Sequence, residues 1–96
     1  GYRLRRRASD DLARVYAEGR RMFGIAKARA YHGELRQVFA LLSDNPGLGV
    51  AFAEIEPQVR IHHHESHVVV YRIDDDGDVE ILRIRHSRED WFRTPV

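Results

Sequence analysis

Cysteine is absent from this 96-residue chain, so disulfides and thiolate zinc sites are excluded and a reducing compartment suits it. Long apolar runs are absent too. Val68–Tyr71, the longest in the strand-rich region, is far below the roughly 20 residues a membrane helix needs. With no leader visible either, a cytoplasmic location away from membranes is expected. A glycine-rich phosphate loop, a nucleophile elbow and a paired-carboxylate arrangement are also missing, and no cofactor is expected. No repeat or low-complexity tract divides the chain, so residues 1–96 read as a single domain.

What is present describes a folded protein. Hydrophobic residues make up 43% and charged residues 32%, a balance that permits a core and argues against disorder. A domain this small buries a modest share of its surface, so a partner that covers more of it would stabilise it. The net charge of +1 conceals two unlike halves. Residues 1–43 hold ten basic and four acidic side chains, a balance of +6. Residues 44–96 hold six and eleven, a balance of −5. The basic half opens with Arg3, Arg5, Arg6 and Arg7, a face suited to an acidic partner or simply to water.

Val59 to His86 carries the clearest pattern. His67–Ile73 and Val79–Ile84 are rich in β-branched and apolar residues and flank Asp74-Asp75-Asp76-Gly77-Asp78, where Gly77 can supply φ > 0. This predicts a hairpin, and Val59–His63, ahead of a Glu65-Ser66 turn, adds a third strand to an antiparallel meander. Upstream, Tyr2-Arg3-Leu4-Arg5 alternates as a half-buried strand. Ser9 reads as an N-cap with Asp10 and Asp11 in the first turn. Leu12, Val15, Tyr16, Gly19, Met22 and Phe23 form a helical stripe that ends at Gly24. A second helix runs from about Ile25 to Ser43 with Ala28, Tyr31, Leu35, Val38, Phe39 and Leu42 on one face, and Asp44-Asn45-Pro46-Gly47 stops it. Residues 47–58 read as a loop anchored by Leu48, Val50 and Phe52. The expected fold is α+β, ordered β-α-α-β-β-β, with an N-terminal strand and helical hairpin packed on a small antiparallel sheet whose other face stays at least partly open.

The order of these segments resembles the RelE/ParE superfamily of toxins from bacterial toxin–antitoxin pairs, and within it the ParE branch. The residues that carry the likeness are Tyr2-Arg3-Leu4 followed by Ala8-Ser9-Asp10-Asp11-Leu12, then Asn45-Pro46-Gly47-Leu48-Gly49, then His67-Val68-Val69-Val70-Tyr71-Arg72, and last Val79 to His86. The run Ile61-His62-His63-His64-Glu65-Ser66 departs from the arginine, aromatic and glycine-containing turn usual there. The resemblance implies a toxin that inhibits DNA gyrase by binding, arrests growth and is neutralised by a ParD-like antitoxin in a hetero-oligomer. It implies no enzymatic activity and no sequence-specific DNA binding by this chain alone. Partner contacts are then expected from a basic stripe of Arg60, Arg72 and Arg83 on one sheet face, from Tyr16, Tyr31 and Phe39 on the helical stripes, and from Trp91 and Phe92, which either fold back or anchor a partner.

Two other constellations compete. His86 with Arg83 and Arg85 has the residue types of a ribonuclease site, as in the RelE branch, which cleaves messenger RNA in the ribosomal A site. The tail offers no supporting tyrosine or lysine, so a structural histidine closing the last strand is the plainer expectation. His62 and His64 share a strand face and could chelate with Glu65. Without a cysteine pair or a helical HExxH, a polar strand end is expected for His62, His63, His64 and His67, and no metal.

Overall fold

The computed structural model describes residues 1–55 and 58–96. Strand β1 (Tyr2–Leu4) leads into helix α1 (Arg6–Phe23), which turns at Gly24 into α2 (Ile25–Asp44). A 3-10 turn at Pro46–Leu48 precedes β2 (Val50–Phe52), and β3 (Val59–His64), β4 (His67–Ile73) and β5 (Val79–His86) complete a sheet ordered β1-β5-β4-β3-β2. β1 runs parallel to β5, and the other three pairings are antiparallel.

The α+β class, the helical hairpin and the meander are as expected, with two local corrections. Part of the loop expected over 47–58 is an edge strand. Val50, Ala51 and Phe52 pair with Ile61, Arg60 and Val59, a ladder whose partners lie too far along the chain for periodicity to reveal. Glu56 and Pro57 of that loop lie outside the described residues. The first helix also begins before Ser9. Arg5 takes the N-cap position without a side-chain bond, and no acid stands in the first turn. Arg6 and Arg7 sit where the helix dipole disfavours positive charge. Tertiary pairing sets the start instead, because the Arg5 amide bonds to the Ile81 carbonyl at 2.9 Å and its carbonyl accepts from Ser9.

Gly24 joins the helices with φ +89°, a value that strains any side-chain-bearing residue. Its amide donates to Arg20 and its carbonyl accepts from Ala28, so one residue closes the first helix and opens the second. At the other turn, Asp74 Oδ1 accepts from the amides of Asp76 and Asp78, and Gly77 adopts φ +84°.

The sheet carries a core on each face. On the helix side, Ala8, Leu35, Val38, Phe39 and Leu42 meet Val69, Tyr71, Val79, Ile81 and Ile84. On the far side, Val59, Ile61, Val68, Val70 and Leu82 are buried beneath Phe52, Ile55 and Trp91. The far face is therefore less open than expected. Each large apolar side chain buried fully in these layers contributes about 1.5–3 kcal/mol. A bulge between Val70 and Tyr71 pairs Val70 with Arg83 and Tyr71 with Ile81, leaving Leu82 as the extra residue.

Candidate functional site

The α1 stripe is longer than the sheet can cover. Leu12 and Val15 pack against the core, but Met22 and Phe23 stand 63% and 62% exposed at the far end of α1. Between the two helices this surplus forms a groove of about 540 Å3, walled by Val15, Tyr16, Met22, Phe23, Ala28 and Tyr31 and closed at its polar end by Ser66, His67 and His86. Its walls are mostly apolar, which favours a docked side chain over water.

The polar end is a connected set of rings. Tyr31 Oη lies 2.6 Å from His67 Nδ1, and the rings of His64, His67 and His86 follow in sequence around it. Burial, then the carboxylates of Glu65 and Glu34, push the Tyr31 phenol up to about 12, so it stays a neutral donor. Burial and the neighbouring His86 hold His67 below its ordinary value, which leaves its Nδ1 free to accept from Tyr31.

Asp11 fixes this end of α1 to the sheet. Its carboxylate is 2% exposed and takes bonds from Arg83 Nε at 2.6 Å and the Ile84 amide at 3.0 Å, with Arg14 beside it. Beyond Leu4 the outer edge of β5 has no strand partner among the described residues, and Asp11 satisfies the Ile84 amide there. Burial raises the Asp11 carboxyl, and Arg83, the Ile84 amide and Arg14 outweigh it, so the group lies below its usual range.

The three strand arginines do not form a stripe. Arg60 stands opposite Tyr71 and so shares the helix-side face. Arg72, the next residue after Tyr71, points the other way and bonds Glu80 at 2.6 Å. Arg83 is held by Asp11. Phe39 lies in the core: it is 1% exposed and meets the edge of the Tyr2 ring at 5.8 Å. Trp91 folds back on the far face against Phe52 and His63, whereas Phe92 remains 54% exposed. Tyr16 and Tyr31 line the groove. The nuclease-like set is also committed internally. Arg85 bonds Glu89 and the Thr94 carbonyl, and His86 Nδ1 accepts the Arg88 amide at 3.1 Å. Glu34, missed in the sequence, lies 3.0 Å from His64 Nε2. Thirty positions separate them, so no local pattern links the two.

The sequence profile described as "ParE toxin of type II toxin-antitoxin system, parDE" matches residues 2–91. The chain belongs to the ParE toxin family. "Toxin ParE1" of Caulobacter vibrioides is 33% identical over 86 residues, spanning 90% of this chain and 88% of that protein. "Toxin ParE1" of Mycobacterium tuberculosis (strain ATCC 25618 / H37Rv) is 32% identical over 68 residues, 71% of this chain and 69% of that one. A structure titled "Chromosomal ParDE TA system from P. aeruginosa" superposes with a TM-score of 0.75 at 24% identity, covering 90% of this chain and 94% of the other. The ParE fold thus accounts for both sheet and hairpin, and the protein is a ParE-type toxin of a type II toxin–antitoxin system. Among the described residues no helix is long and apolar enough to cross a membrane.

Proposed function

We propose that this ParE toxin acts by binding: it occupies DNA gyrase, stalls the enzyme and arrests growth, and a ParD-like antitoxin neutralises it by laying an apolar segment into the interhelical groove. The observation that carries this reading is the groove itself, an apolar channel with Met22 and Phe23 exposed at one end. A surface of that kind gains more from a docked side chain than from solvent. Family membership supports the toxin–antitoxin setting. The commitment of Arg83 to Asp11 and of Arg85 to Glu89 supports binding over phosphodiester chemistry, because cleavage needs cations free to meet a phosphate.

Purified gyrase in a supercoiling assay tests the target. Excess free toxin is expected to inhibit supercoiling, and unimpaired activity would overturn the proposal. Codon-specific messenger cuts in a cell-free translation reaction, lost in His86→Ala, would establish a ribosome-dependent nuclease instead.

A further inference from the structure

Glu34, His64 and Glu65 converge at the rim of the groove, and the binding function above does not use them as a group. Glu34 projects from α2, His64 closes β3, and Glu65 stands in the turn to β4 with φ 51°. His64 Nε2 lies 3.0 Å from Glu34 Oε1. One carboxylate oxygen of each glutamate and one ring nitrogen of His64 lie within 4.8 Å of one another.

We propose that Glu34, His64 and Glu65 bind one divalent transition-metal ion of the zinc class. Such an ion holds nitrogen and carboxylate donors at about 2.0–2.2 Å, so neighbouring donors on a tetrahedron sit roughly 3.4 Å apart. His64 and Glu34 already stand 3.0 Å apart, the three donors lie within 4.8 Å of one another, and side-chain rotation of the two exposed glutamates would have to draw them together. Two carboxylates and an imidazole suit zinc. Magnesium and calcium favour all-oxygen shells and gain little from His64.

His64 is positioned for this role. Its side chain is 22% exposed and its ring packs against Tyr31 at a centroid separation of 5.7 Å, which limits its rotation. Glu34 is 48% exposed and leaves room for water as the fourth ligand. The negative charge is already felt nearby, since both glutamates act on the Tyr31 phenol. The other histidines of the run stand apart. His63 lies against Trp91 on the opposite face, and His62, although on the His64 face, is not part of the cluster. A bound ion would tie the β3–β4 turn to α2, beside the groove residues Ser66 and His67.

The test is titration of the whole 96-residue chain, stripped with chelator, with zinc chloride in a calorimeter, and with magnesium chloride in parallel. One zinc ion per chain is expected, with a raised thermal midpoint and no response to magnesium. His64→Gln and Glu34→Gln should each weaken zinc binding at least about tenfold, with circular dichroism unchanged for the exposed Glu34→Gln. His62→Gln and His63→Gln should leave affinity unaltered. Absence of stoichiometric binding, an equal response to magnesium, or binding that survives His64→Gln and Glu34→Gln would overturn the site. Binding lost with His62→Gln or His63→Gln would overturn it too, as adventitious capture by a histidine run.

Discussion

Tyr71 holds the loop after α2 with a single buried hydroxyl. It donates to the Pro46 carbonyl at 2.6 Å and accepts the Gly49 amide at 2.8 Å. A Cβ on Gly49 would stand 2.6 Å from that hydroxyl and 2.9 Å from the Ile61 carbonyl oxygen, closer than packing allows. Tyr71→Phe leaves the Gly49 amide and the Pro46 carbonyl without this partner and is expected to cost about 1–3 kcal/mol in urea unfolding. Gly49→Ala is expected to cost at least as much, because the backbone of β3 must move. Asp11 holds another buried polar contact of the fold, with Arg83 and the Ile84 amide. Arg83→Ala removes the nearly buried guanidinium from Asp11 but leaves Arg14 and the Ile84 amide, and should lose roughly 1.5–3 kcal/mol. Because the folded Asp11 carboxyl lies below its ordinary value of 3.8, its contribution is complete above that value and is lost as pH falls from there through the lower folded value. Acid unfolding of the wild type should steepen there, and Asp11→Asn should flatten that limb. The run Asp44-Asn45-Pro46-Gly47 was legible in the sequence as a helix stop. Its bond to Tyr71 was not, because the partner lies more than twenty positions away.

The elements were mostly legible, and the misses share a cause. The β4–β5 hairpin and the helical hairpin are local, so alternation, the 3.6-residue stripe and the glycines at the turns announce them. Gly24→Ala should cost about 1 kcal/mol through its positive φ and shorten the hairpin contact, seen as faster hydrogen exchange at the ends of α1 and α2. Strand β2 and the start of α1 depend on distant backbone, and Ser9 lost the cap to a tertiary bond at Arg5. The tail is the remaining element. Trp91 covers the far core, so Trp91→Ala should destabilise by about 1–3 kcal/mol, whereas Phe92→Ala, at an exposed position, should leave the melting temperature near that of the wild type.

The N-terminal half, residues 1–43, carries a balance of +6 against −5 for the remainder. An acidic partner would be steered to that half, so association in stopped-flow should slow as salt rises while dissociation changes little. The groove's polar end adds a pH dependence. The folded His67 value lies below 6.5, so the unfolded chain takes up the proton first. Stability is therefore full above that value and declines as pH falls through it toward the folded one. His67→Gln should remove that decline from thermal melts between about pH 7 and 5.

The class and the order of every element but β2 were settled along the chain, because helical stripes, strand alternation and turn glycines act over a few residues and survive in any context. The far side of the sheet, the separation of Arg60 from Arg72, the anchoring of Arg83 by Asp11 and the meeting of Glu34 with His64 were settled in space. Those contacts depend on register, on one bulge and on the crossing of a helix over strand edges, and each joins residues far apart in the chain.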